Sequence, residues 1–151
     1  MPLTDNINLA EKSDHLFFTG LIEADTHIFF GSIVARNAAG NLVPASDAAD
    51  LRVAGVAEQE VDNTGGAAGA KFVVIKRSPR WVPNSGTQPV TASGLQKPCY
   101  IEDDNTVASQ TTHGIPAGIA LELSADESLV LVDFLFAPLL DASPAPVSSG
   151  S

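Results

Sequence analysis

Apolar side chains along this chain come in short runs, nearly all closed by Gly, Pro, Asn or Asp. Phe72-Val73-Val74-Ile75 and Ser128-Leu129-Val130-Leu131-Val132-Asp133-Phe134-Leu135-Phe136 are the densest. β-Branched and aromatic side chains of this kind suit a pleated surface, and the breakers between them suit tight turns. Helical spacing is missing, apart from one turn's worth at Asp47-Ala48-Ala49-Asp50-Leu51. The pattern predicts strands near 28–36, 41–44, 51–60, 70–77, 89–92, 98–102, 106–109, 115–122 and 128–136. Many short strands divided by turns argue for an all-β fold, a compact antiparallel β-sandwich or small barrel. The two densest runs are apolar on both faces, where a sheet with one wet face would alternate. Each is therefore expected to be central in the fold, or to have its second face covered by another subunit.

A second layer of pattern is repetition. Ile33-Val34-Ala35-Arg36-Asn37-Ala38-Ala39-Gly40-Asn41-Leu42-Val43-Pro44 leads to Val53-Ala54-Gly55-Val56-Ala57-Glu58. Later, Cys99-Tyr100-Ile101-Glu102-Asp103-Asp104-Asn105-Thr106-Val107-Ala108-Ser109 leads to Pro116-Ala117-Gly118-Ile119-Ala120-Leu121-Glu122. Each is strand, polar turn, return strand, loop, then Ala-Gly-(Val/Ile)-Ala. A true duplication and two hairpins built alike both explain this. The glycine inside each later strand predicts a bulge or a close backbone approach. Between the copies lies a glycine-rich reversal, Val61-Asp62-Asn63-Thr64-Gly65-Gly66-Ala67-Ala68-Gly69.

The ends differ from the middle. Residues 1–26 read as an extended arm whose apolar positions are Ile7, Leu9, Leu16, Phe17 and Phe18, interrupted by Glu11-Lys12-Ser13-Asp14. Such an arm can add a strand to a neighbour's sheet edge; the alternative is a first, edge strand folded into the chain's own domain. Residues 27–137 form the β domain, and 138–151 are a tail rich in Pro and Ser, expected to be flexible.

Charge and cysteine narrow the function classes. Eighteen acidic against eight basic residues give a net charge of −10, which argues against nucleic acid or an anionic membrane as partner. No apolar run approaches the roughly 20 residues of a membrane helix, and Met1 to Asn6 lack the pattern of a signal peptide. Cys99, the single cysteine, leaves no intrachain disulfide and reads as a small buried hydrophobe.

Candidate chemistry is sparse. His15, His27 and His113 share no metal-ligand spacing, and Glu102-Asp103-Asp104-Asn105 reads as a hairpin turn because the spacing of a calcium loop is missing. The glycine-rich segment has no Lys-Ser/Thr after it and so is no phosphate loop. No catalytic residue, cofactor or metal is expected, and the chain does not read as an enzyme. One patch stands out: Lys76, Arg77, Arg80 and Trp81 gather three of the eight basic residues and the single Trp. Arg and Trp are enriched where binding energy concentrates, although Trp81 can equally cap the core.

The succession Gly31-Ser32-Ile33-Val34, Ala54-Gly55-Val56-Ala57-Glu58, Val61 to Gly69 and Ala117-Gly118-Ile119-Ala120 resembles the small capsid cement, or head decoration, proteins of tailed bacteriophages. The resemblance covers about residues 28–134 and rests on turns and glycines. It implies a structural virion protein on the outer surface of a head, made in the bacterial cytoplasm. Its partner would be the major capsid protein; the two-sided apolar run Leu129 to Phe136 and the low aromatic content separately predict association with further copies in a symmetric dimer or trimer. The alternative is a sugar- or peptide-binding β module of an adhesin or tail fibre, which calls for an exposed aromatic platform.

Overall fold

The structure, a computed structural model, describes residues 4–6 and 16–146. Its strands are β1 (Phe17–Leu21), β2 (His27–Ile28), β3 (Ile33–Arg36), β4 (Leu42–Pro44), β5 (Arg52–Ala57), β6 (Val61–Asp62), β7 (Phe72–Lys76), β8 (Arg80–Pro83), β9 (Pro98–Asp103), β10 (Thr106–Ala108), β11 (Pro116–Leu123) and β12 (Leu129–Asp133). Two 3₁₀ turns, Ala92–Gly94 and Ala137–Leu139, are the helical elements among the described residues. The fold is all-β, with antiparallel pairing throughout both main sheets.

Those sheets run β4-β3-β5-β7-β1 and β10-β9-β11-β12-β8. Taken in chain order, the two arrangements are the same. The first strand of each unit lies at one end beside the last, and the second strand pairs with the third on one side and the fourth on the other. The small details repeat as well. Ile22, after β1, bridges Leu42 in parallel, and Asn84, after β8, bridges Val107. The next amides donate to the same two carbonyls, Glu23 to Leu42 at 3.0 Å and Ser85 to Val107 at 2.8 Å. These bridges curl each sheet until its edges meet, the small-barrel solution to an exposed edge. At the level of topology the duplication reading therefore holds. The boundary between units is Arg77-Ser78-Pro79, not the glycine-rich segment, which lies inside the first unit.

That segment is a turn, but not a hairpin between its flanking runs, since β6 pairs with β2. Asn63 organises it, being 2% exposed and donating from Nδ2 to the carbonyls of Glu23 and Ala67.

Two cores follow from the curling. Ile22, Ile28, Val34, Leu42, Ala54, Ala57, Val73 and Ile75 fill the first unit. A larger cluster fills the second with Val82, Cys99, Ile101, Val107, Ala117, Ala120, Val130, Val132 and Phe134, and takes in Ile33, Ala35, Val53 and Val56 from the first. β3 and β5 thus serve both cores with alternate side chains, which is why β5 is buried from Val53 to Ala57. Gly55 and Gly118 sit at register shifts, as expected.

Several expectations need correction. The run 28–36 is broken by a turn at Phe29 to Ser32, and 89–92 is not a strand but leads into a 3₁₀ turn. β8 was not foreseen as a strand, and of the two readings of the leading segment, arm or edge strand, β1 is the edge strand. Leu16 accepts the Arg77 amide at 3.0 Å, and β1 pairs with β7 of its own chain. Leu16, Phe17 and Phe18 thus belong to the β domain rather than to an arm, because their alternation completes the first sheet. Ile7 and Leu9 lie outside the described residues. The tail, expected to be flexible, makes hydrogen bonds to the body as far as Ala145. Ser143 donates to the Gly114 carbonyl, Ala145 to that of Thr111, and Arg52 donates to that of Pro138.

The β11–β12 turn carries a pH signature. Asp126 accepts the hydroxyls of Ser124 and Ser128 and the Ser128 amide. The Ser128 bonds chiefly, with that from Ser124, lower its pKa from 3.8 to about 2. The ionised form favours the folded state, so its contribution is complete above 3.8 and is lost as pH falls through about 2. Denaturant midpoints of the wild type and Asp126→Asn are therefore expected to differ at neutral pH and to converge towards pH 2.

Candidate functional site

The equivalent ribbons β1–β7 and β8–β12 carry what the chain offers for binding. In β1–β7, directly opposed residues share a face. Phe18–Ile75 and Gly20–Val73 point inward, while Phe17–Lys76, Thr19–Val74 and Leu21–Phe72 point outward. Val73 and Ile75 are fully buried, whereas Leu21 is 52% and Phe72 57% exposed. The outward stripe is apolar and ends in cations. The Lys76 ammonium lies 4.6 Å from the centre of the Phe17 ring, and the Arg77 guanidinium 4.3 Å from that of Phe18. Arg77 also donates from Nε to the Ala54 carbonyl, and burial lowers its pKa, with Arg36 adding to the shift.

In β8–β12, Val82 and Val130 face the core, and Trp81–Leu131 and Pro83–Leu129 make the outer pairs. Trp81 is half-exposed and so does not cap the core. Prolines 79 and 83 flank an edge strand, the place in a sheet where they are tolerated. The Arg80 guanidinium pairs with the Glu58 carboxylate and links the units. Both runs read from sequence as apolar on two faces therefore have one face in a core and one outside.

The sequence-predicted residues fall into two groups. Phe17, Phe18, Lys76 and Arg77 come together on the first ribbon, with Leu16 at its end. Arg80 and Trp81 lie on the second unit. Leu21 and Phe72 were missed as candidates, although the spacing Phe17-x-Thr19-x-Leu21 signals a strand with an apolar outer face.

Phe29 and Phe30 were missed as well. They precede Gly31, whose φ of +85° makes the turn into β3, and they are 56% and 65% exposed. Phe29 stacks on His27 at 4.2 Å, and His27 Nε2 meets Glu60 at 2.8 Å. Beside them the β9–β10 turn, Asp104-Asn105, approaches the first unit, with Ile33 donating to the Asp104 carbonyl at 2.8 Å. Two adjoining hollows result. One, about 350 Å³, is lined by Phe29, Phe30, Gly31, Ser32, Asp104 and Asn105. The other, about 220 Å³, shares Gly31 and Asn105 and adds Arg80 and Trp81.

Other reactive groups are occupied. Cys99 is 1% exposed, and burial pushes its thiol up to about 12. His113 Nδ1 lies 3.2 Å from Asp47, and His15 is outside the described residues. Among the described residues no group of three or more His, Cys, Asp and Glu is placed to share a metal ion.

No protein-family model matches the chain, and neither the curated proteins nor the solved structures searched contain a match.

Proposed function

We propose that this chain is a structural decoration protein of a tailed-phage head. It binds the outer surface of the major capsid lattice and reinforces contacts between neighbouring subunits. The observation that carries the reading is the outward apolar face of β1–β7, repeated in kind on the equivalent ribbon β8–β12. Apolar surface gathered at a cationic rim, on an otherwise acidic molecule, suits protein partners rather than nucleic acid. Two such faces suit a lattice that presents the same site many times, because simultaneous engagement raises avidity without strengthening any one contact. Association with further copies in a closed dimer or trimer belongs to the same reading. The protein is made in the bacterial cytoplasm and resides on the virion exterior.

The test is co-sedimentation with heads assembled from the major capsid protein of the phage whose genome encodes this chain. Leu21→Ser with Phe72→Ser removes exposed side chains, so the melting transition is expected to stay within a few degrees of wild type. Attachment is expected to weaken by at least about 10-fold, the equivalent of roughly 1.4 kcal/mol. Wild-type protein that fails to bind such heads overturns the reading. Full-strength attachment of the folded double variant removes β1–β7 as the docking face.

A further inference from the structure

We propose that the groove between the two units is a saccharide-binding site, with Phe29, Phe30 and Trp81 contacting the sugar's C–H surface and Asp104 and Asn105 bonding to its hydroxyls. This site is separate from the β1–β7 face, shares Trp81 with the β8–β12 face, and is tested without capsids.

The groove has the composition of a small-molecule site, apolar walls with a few polar groups. Phe29 is held in place by its stack on His27, which is itself fixed by Glu60. Phe30 is 65% exposed beside it, a large apolar surface left open to water at a turn. Polar capacity is also open. The Asn105 side-chain amide has no hydrogen-bond partner among the described residues, and the Asp104 carboxylate accepts from no other residue there. Both come from one two-residue hairpin turn and so approach a ligand from the same side.

The surrounding chemistry selects among ligands. A nucleotide or other phosphate would face Asp103 and Asp104, and Arg80, the groove's cation, is already neutralised by Glu58. A purely apolar ligand would bury the Asp104 and Asn105 groups without a ligand partner, which opposes binding. A neutral saccharide meets both demands, since one surface of the ring is C–H and its rim is hydroxyl. The larger hollow, about 350 Å³, falls within the roughly 300–1,000 Å³ typical of such sites.

The test is saturation-transfer NMR on the full chain with chitohexaose, cellohexaose and maltoheptaose, alongside a proline-rich decapeptide. Trp81, the chain's single Trp, supplies a parallel fluorescence readout. At least one saccharide is expected to bind saturably. Phe30→Ala and Asn105→Ala, both at exposed positions, are each expected to weaken it by about 10-fold or more with melting unchanged. Absence of binding by all three sugars overturns the proposal. So does saccharide binding that both variants leave intact, or a decapeptide that displaces the sugar from the groove as the tighter ligand.

Discussion

Gly118→Val is expected to abolish cooperative folding. A Cβ at this position would sit 2.2 Å from the Asp133 carbonyl oxygen and 3.0 Å from Val132 Cγ1, at a φ of +158°. The first obstacle is backbone, held by pairing of β11 with β12, so it cannot swing aside as a side-chain tip does. Relief requires the two strands to part in the middle of the second sheet. Loss of more than about 4 kcal/mol is expected, the range of exceptional single substitutions. The equivalent Gly55 faces the Lys76 carbonyl oxygen at 2.7 Å, so Gly55→Val is expected to be damaging but less so. Urea unfolding followed by far-UV circular dichroism checks both. A Gly118→Val protein that unfolds cooperatively at the wild-type midpoint would show that the β11–β12 approach is not as close as described.

Phe134→Ala is expected to cost about 3–5 kcal/mol, the usual range for emptying a buried aromatic site. Phe134 is fully buried and heads the largest such side chains. It follows β12 and packs in the cluster that includes Val53 and Val56 of the first unit, so it helps to join the two units. The loss should therefore appear as a lower midpoint of the whole transition. Phe136, two residues on and 53% exposed, is the control, and Phe136→Ala is expected to shift stability by less than about 0.5 kcal/mol. Equal effects of the two substitutions would contradict this placement of the second core.

How far the sequence could be read is clearest at particular residues. The strand-turn-strand runs around Asn37 to Asn41 and Asp103 to Asn105 were legible because local turn chemistry fixes them. Gly55 and Gly118 were legible as bulges because a glycine inside an apolar strand has few other uses. β1 could be read as arm or as edge strand because Phe17 to Leu21 lies near the terminus and far in sequence from β7. β8 was read as a binding patch or a core cap, and not as a strand, because Pro79 precedes it and Pro83 ends it. Both are edge partners whose strand character comes from the neighbour they pair with.

The binding surfaces divide in the same way. Two-sided apolar character marked β7 and β12 from sequence, but not which face is covered. The groove was invisible, since Phe29, Phe30, Asp104 and Asn105 are brought together only when the second unit packs on the first.

Composition, turn residues and strand periodicity by themselves determined an acidic, all-β chain with a repeated strand unit. Those properties depend on residues close in sequence, where dihedral preference and alternation act directly. The tertiary structure alone decided that the repeat extends to two equivalent curled sheets, that β3 and β5 serve two cores, and that the outer faces of β7 and β12 stay open. These depend on pairing and packing between residues far apart in sequence, where several registers satisfy the local pattern and only the burial of the whole core selects one.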